Sequence, residues 1–268
     1  MTLPVALSIA GSDSGAGAGI QADMKTFAAF GVYGLTVITA ITAQNTAGVR
    51  AVQEVDTGVI AAQLDAVADD FAIGALKTGM LSSAAIIETV VAGIERHRLR
   101  PLVVDPVMIA KSGDRLLRED AVDALRRLLP LANVVTPNIP EAAVLSGRTI
   151  RTREDRVAAA RAIMQLGAQA VVIKGGHTED DPIVDLLVDG QGVHEYPAPR
   201  IVTTSTHGTG CTFSAAITAA LATGVDLPHA VAEARDYVSR ALASAPGLGH
   251  GHGPLNHFPA IQVAHARH

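Results

Sequence analysis

Short apolar runs alternate along the chain with longer segments whose apolar positions recur every three or four residues. The runs VALSIA (5–10), LTVITAI (35–41), IGALKTG (73–79), PLVVDP (101–106), NVVTP (133–137) and AVVIKG (170–175) predict strands. Segments 17–30, 57–69, 83–98, 119–129, 138–146 and 153–166 predict the intervening helices. Such alternation is the signature of βα units around a mostly parallel sheet. The pattern then changes. IVDLLVDG and GVHEYPA flank Asp189-Gly190-Gln191-Gly192, a hairpin signal, and two closing helices follow at 209–223 and 228–244. No linker, composition break or internal repeat interrupts the series, so one domain over residues 1–268 is expected.

Ligands of open α/β sheets sit outside the carboxyl ends of the strands. The chemically distinctive residues fall at those ends. Gly11, Ser12 and Asp13 follow the first run, Gln44 and Asn45 the second, and Lys77 to Met80 the third. Asp105 to Met108 follow the fourth, Thr136 to Glu141 the fifth, and Lys174 to Gly176 the sixth. This repeated placement predicts one cleft along one edge of the sheet.

Composition narrows the classes of function. Aromatics are 3% of the 268 residues, Trp is absent and the formal charge is −5, which argues against a stacking or polyanion-binding surface for nucleic acid. No apolar run of about 18 residues predicts a membrane span, and the first residues lack the features of a signal peptide. A single cysteine cannot form an internal disulfide, which fits a cytoplasmic location. Ten histidines invite a metal reading, above all HGHGPLNH (250–257), but no H-E-x-x-H is present and that stretch reads better as a closing turn.

Two glycine-rich segments carry most of the chemistry. GSDSGAGAGIQAD (11–23) passes from a strand into a helix, yet a dinucleotide loop would need glycine where Ile20 stands, and no P-loop pattern occurs. It reads either as a tightly packed turn or as a backbone closing over a small ligand. STHGTGCTFSAA (205–216) places Gly208 and Gly210 before a helical run, so that N–H groups and the helix dipole form a nest for a phosphate. The other reading is an ordinary glycine turn with a buried cysteine. In the nest, the Cys211 thiol would have its pKa lowered. Asp105, with Glu141 and Asn138, offers oxygen ligands for Mg²⁺, although N-I-P-E equally fits an Asn N-cap with Glu three residues on. Lys174 is placed to neutralise nucleotide phosphates, and Lys111, in MIAKSGD, to fold over a transferring group.

These segments resemble, in order and over nearly the whole chain, the bacterial hydroxymethylpyrimidine/phosphomethylpyrimidine kinases of thiamine biosynthesis, within the ribokinase-like superfamily. ALSIAGSDSGAGAGIQADMKTF, VITAITAQNT, KTGML, VVDPVMIAKSGD, TPNIPEA, VIKGGH, STHGTGCTFSAAI and GHGPLNHF carry the resemblance. Ala16 stands where many members have glycine, and about 259–268 reads as a variable tail. The resemblance implies a three-layer α/β/α sandwich with a central, mostly parallel sheet. It implies ATP and Mg²⁺ as cofactors, leaves a monovalent cation open, and implies a homodimer.

The resemblance further implies that Gln44 reads the polar edge of the pyrimidine, that Gly11, Met80 and Val107 line the ring pocket, and that Asp23 belongs to the substrate contacts. Lys174, Asn138, Thr206 and the backbone of Gly208, Thr209 and Gly210 would hold the nucleotide, and Asp105 and Glu141 would organise Mg²⁺. Cys211 would stand where related sugar kinases use an aspartate base. A pyridoxal kinase, and a silent pyrimidine-binding regulator of the same fold, are the competing readings.

Overall fold

The computed structural model describes residues 3–108, 121–176 and 181–259. Nine strands form one continuous sheet: β1 (Val5–Asp13), β2 (Tyr33–Asn45), β3 (Gly48–Glu54), β4 (Ala75–Thr78), β5 (Leu102–Val104), β6 (Val134–Val135), β7 (Val171–Ile173), β8 (Ile183–Val188) and β9 (Val193–Ala198). The helices are α1 (Gly19–Ala29), α2 (Thr57–Asp70), α3 (Ala84–His97), α4 (Ala121–Leu125), α5 (Ile139–Ser146), α6 (Arg153–Gln165), α7 (Thr209–Ala222) and α8 (Leu227–Ala243). Among the described residues no helix is long and apolar enough to cross a membrane.

Strand order is β3-β2-β1-β4-β5-β6-β7-β8-β9, with β3, β8 and β9 antiparallel to their neighbours and the rest parallel. Alternate side chains of the central strands feed two apolar layers, as the two-residue period of a strand requires. Leu7, Ile9, Leu102 and Val104 meet Ile60 and Leu64 of α2, Ile87 and Val90 of α3, and Ile163 of α6. Val103, Val134 and Val172 meet Phe213 and Ile217 of α7 and Val231 and Val238 of α8, while Ala6 meets Phe27 of α1. The expected three layers are therefore present.

Two elements differ from the sequence-based expectation. β2 runs on to Asn45 and returns as β3, a strand whose burial pattern shows no fully buried residue. Pairing with β2 rather than apolar alternation holds GVRAVQE extended, so its pattern carries no strand signal. Of the helix expected over 119–129, α4 accounts for Ala121–Leu125, and a turn and a 3-10 segment at Leu129–Leu131 follow. Pro130, which has no N–H to continue an α-helix, lies in that segment. Lys111 and the tail beyond residue 259 lie outside the described residues.

The closing segment passes behind α7. The Asn256 N–H donates to Ala241, the Tyr237 hydroxyl donates to the His257 carbonyl at 2.6 Å, and the His257 ring lies 3.0 Å from the Thr212 hydroxyl. Burial and the nearby Lys25 charge push the His257 pKa down from 6.5 to about 4. In the window between those values the unfolded chain binds the proton and the folded chain does not. His257 therefore contributes stability above about pH 6.5 that is lost as pH falls through 4, about 3 kcal/mol in all. Urea midpoints across pH 4–7 should show this acid loss, and His257→Gln should flatten it.

Candidate functional site

Chain order reverses at β1, which has β2 on one side and β4 on the other, so a crevice opens at the carboxyl ends of these strands. A cavity of about 530 Å³ lies there, lined from β1 (Gly11, Ser12, Asp13), β2 (Gln44), the end of β4 (Lys77, Met80) and the start of α7. It continues past Asp105, Glu141 and Lys174 towards Arg200, Ile201 and Arg235. The β1–β2 register slips between Ala10 and Ser12, so the strand bends at Gly11. The bare Gly11 Cα makes room for Met80, whose Cε would lie 2.5 Å from an added Cβ.

The glycine-rich segment after β1 is closed by its own carboxylate. Asp13 Oδ1 accepts from the Gly15 N–H at 2.8 Å, and Oδ2 accepts from Gly17 at 3.1 Å, Ala18 at 2.9 Å and His207 Nε2 at 2.8 Å. Burial alone would raise the Asp13 pKa, but the His207 hydrogen bond and the backbone donors hold it below the usual carboxylate value. The loop's inward N–H groups are thus satisfied within the protein. Of the two readings of 11–23, the packed turn describes the backbone, and only Gly11, Ser12, Asp13, Ala18 and Gly19 of this stretch line the cavity.

In the second segment the Thr209 N–H donates to the Thr206 carbonyl at 3.4 Å, while those of Gly208 and Gly210 find no partner among the described residues. Gly208 is the N-cap of α7 in the left-handed region at φ 80° with no side-chain cap, and Thr209, Gly210 and Cys211 form the first turn. An unpaired helix start of this kind attracts anions. A Cβ on Gly208 would overlap the Gly17 carbonyl oxygen, whereas one on Gly210 would come within 3.1 Å of the movable Lys174 ammonium. Gly208→Ala should therefore cost more than the ~1–2 kcal/mol of a left-handed L-residue, and Gly210→Ala clearly less. Paired thermal melts read this difference.

Behind this turn lie paired charges. Lys174 Nζ donates to Asp105 Oδ1 at 3.1 Å, and Ser214 Oγ donates to Asp105 Oδ2 at 3.2 Å. Glu141 and Asn138 form a capping box for α5, with reciprocal bonds of 2.8 and 2.9 Å. The capping reading of N-I-P-E therefore holds, and Glu141 also faces the cavity. Burial raises the Glu141 pKa to about 7, opposed by Lys174 and assisted by Asp105. Lys174 is therefore ion-paired with Asp105 and acts on Glu141 through space.

Cys211 departs from expectation. Burial pushes its thiol up to about 12; Lys77 and the Gly19 N–H oppose the rise, while Asp105 and Asp23 add to it. Desolvation outweighs the helix terminus, so the thiol is neutral at rest rather than activated. Asp23 is a second correction. It is fully buried, accepting from Lys77 Nζ at 2.7 Å and Ser8 Oγ at 2.6 Å, and it does not line the cavity. Lys77 takes the cavity-facing place, and a lone lysine inside the run IGALKTG is the sequence signal that could have found it. Ser214 gave no such signal, because a serine inside TFSAA reads as an ordinary helical residue. Gln44, Val107, Asn138, Thr206, Gly208, Thr209, Gly210, Cys211, Asp105, Glu141 and Lys174 all meet at the cavity.

An open sheet with its crevice at the point of order reversal, two helix starts and paired lysines facing one thiol defines an α/β protein of the ribokinase-like class. A statistical description of the phosphomethylpyrimidine kinase family matches residues 13–256. The chain belongs to that family. It is 55% identical over 258 residues to a hydroxymethylpyrimidine/phosphomethylpyrimidine kinase of Rhizobium meliloti, covering 95% of this chain and 97% of that one. Among solved structures, the phosphomethylpyrimidine kinase of Clostridium difficile is similar at TM-score 0.81 and 44% identity, covering 90% of this chain and all of that one. An ADP complex of Bacillus subtilis pyridoxal kinase is similar at TM-score 0.88 and 41% identity, covering 96% and 98%.

Proposed function

We propose that this chain is an ATP-dependent kinase of thiamine biosynthesis that phosphorylates 4-amino-5-hydroxymethyl-2-methylpyrimidine and then converts the monophosphate to the diphosphate. The observation that carries the reading is Cys211 in the first turn of α7, facing a cavity whose other walls hold Gln44 and Met80 on one side and Lys174 on the other. On this reading Gly11, Met80 and Val107 hold the ring and Gln44 reads its polar edge. The N–H groups of Gly208, Thr209 and Gly210 receive the transferring phosphoryl group, and Lys174, Asn138 and Thr206 hold the nucleotide.

Phosphoryl transfer passes through a loose transition state, so positioning and charge stabilisation dominate. The start of α7 stabilises charge on the equatorial oxygens. Cys211 stands beside the acceptor oxygen: its thiol first releases its own proton to solvent, the thiolate so formed takes the hydroxyl proton late in the first step, and the regenerated neutral thiol is an uncharged neighbour when the acceptor is already a phosphate. Asp105 and Glu141, which both line the cavity, would offer oxygen donors to a hard cation, and Mg²⁺ is commonly held by one or two carboxylates plus substrate phosphates. Mg²⁺ bound there would neutralise phosphate charge. Asp23 acts behind the pocket, by holding Lys77.

Pyridoxal phosphorylation is the second reading, favoured by the likeness to the Bacillus subtilis pyridoxal kinase. ATP consumption with the pyrimidine alcohol, its monophosphate and pyridoxal, with product identification, separates the two. Turnover of both pyrimidines is expected. Turnover of pyridoxal alone defeats the proposal.

A further inference from the structure

The glycine-rich closing segment grips the tip of the β2–β3 hairpin. The β1–β2 register ends at Asp13–Thr42; beyond it Gln44 and Asn45 pair with Val49 and Gly48 of β3, and Thr46 and Ala47 form the turn. A two-stranded ribbon of this kind is marginal in water by itself. Ser14 Oγ ties it on one side, donating to the Gln44 carbonyl at 2.7 Å and accepting from the Gln44 N–H at 2.8 Å. On the other side Thr46 Oγ1 accepts from the N–H groups of His250 and Gly251 at 3.2 Å each. The Thr46 carbonyl accepts from the His252 N–H at 2.8 Å.

Alternating glycines make this grip possible. A Cβ on Gly249 would overlap the Thr46 side chain, one on Gly251 would overlap the Thr46 carbonyl oxygen, and one on Gly253 would lie 2.7 Å from Ser205 Oγ. Glycine allows such close approach of backbone. The segment then reaches the start of α7. The Gly253 carbonyl accepts from the His207 N–H at 3.0 Å, one residue before the N-cap Gly208, and Pro254 forms a parallel bridge with the same histidine. Leu255, buried against α7 and α8, and the Asn256 N–H bond to Ala241 anchor the far end.

We propose that residues 249–253, gripping Thr46, are a positioning strap for the acceptor: they set the hairpin that carries Gln44 at a fixed spacing from the start of α7. The proposal rests on the pyrimidine-kinase reading of the cavity. One continuous backbone path runs from the turn beside Gln44 to the residue before the amide-rich pole, and it touches neither substrate. The ties to Thr46 use main-chain N–H groups, so the role of HGHGPLNH lies in its glycines, and the exposed imidazoles of His250 and His252 are spare.

The test compares Thr46→Val, Thr46→Ser, Gly251→Ala and the double variant His250→Ala/His252→Ala. Thr46→Val keeps the side-chain shape and deletes the acceptor of two hydrogen bonds. It should raise KM for the pyrimidine alcohol about tenfold, the scale of such bonds, with KM for ATP within about twofold of wild type. Thr46→Ser, which retains the oxygen, should restore the acceptor KM. Gly251→Ala should reproduce the Val phenotype by pushing the strap off the Thr46 carbonyl, and the histidine double variant should match wild type. Hydrogen exchange should quicken at the amides of 43–50 in Thr46→Val and stay unchanged in α8. Should Gly251→Ala fail to fold, the Thr46 pair decides. An unchanged acceptor KM, both KM values rising together, no rescue by serine, unaltered exchange at 43–50, or a histidine double variant as impaired as Thr46→Val would each overturn the inference. A wild-type protein that turns over neither pyrimidine overturns instead the reading on which it rests.

Discussion

Cys211→Ala is expected to slow phosphorylation of the pyrimidine alcohol by about 10²–10⁴-fold, the usual contribution of a placed proton acceptor, and to slow the second phosphorylation much less. A hydroxyl must lose its proton as the new bond forms; a phosphate acceptor is already anionic at pH 7. With its thiol held at about 12, Cys211 presents no charge to that second acceptor. Cys211→Asp sharpens the contrast. A carboxylate about 4 Å from an anionic acceptor costs roughly 4 kcal/mol at an effective dielectric of 20, and Asp105 and Asp23 already add negative charge around the sulfur. The Asp variant should retain part of the first step and impair the second more strongly. Separate progress curves for the alcohol and the monophosphate measure both. If the second step suffers no more than the first, the account of why a cysteine stands here is wrong.

The largest effect on stability is expected at Lys77. Lys77 and Asp23 are both fully inaccessible to water and 2.7 Å apart, with Ser8 satisfying the second carboxylate oxygen. Removing one member of a buried pair leaves an uncompensated charge and costs about 3–5 kcal/mol, whereas replacing both by apolar groups is often neutral. Lys77→Met should therefore lower the unfolding free energy by that amount in urea titrations. Adding Asp23→Leu to the same chain should recover most of it. A double variant as unstable as the single one would show that the loss lies in packing rather than in stranded charge. The double variant also separates folding from catalysis, because it lacks the Lys77 charge that faces Cys211 and Asp105.

The ordering of strands and helices was legible because each βα unit must bury an apolar stripe of period two or 3.6, and those periods survive in the sequence. β3 was not, since an exposed edge strand is fixed by its ladder rather than by its side chains. The gathering of Gln44, Met80, Asp105, Glu141, Lys174 and Cys211 at one crevice followed from their positions at strand ends and from the family resemblance. Three features depended on depth, which a linear pattern does not encode. The Cys211 thiol rises because burial outweighs the helix start. Asp23 turns inward to a lysine fifty-four positions away. The amides of the glycine-rich loop converge on Asp13, a partner supplied by the loop itself.

That last closure gives the cavity a direction. With Asp13 occupying the amides of residues 15, 17 and 18, the beginning of α7 is left as an amide-rich pole for an incoming phosphate. Under the proposed chemistry, the monophosphate made in the first step already points its phosphate at that pole. The ring can stay seated while the spent nucleotide is exchanged, and the second phosphoryl group extends the chain outward along the same axis. Two successive transfers then need one orientation of the acceptor.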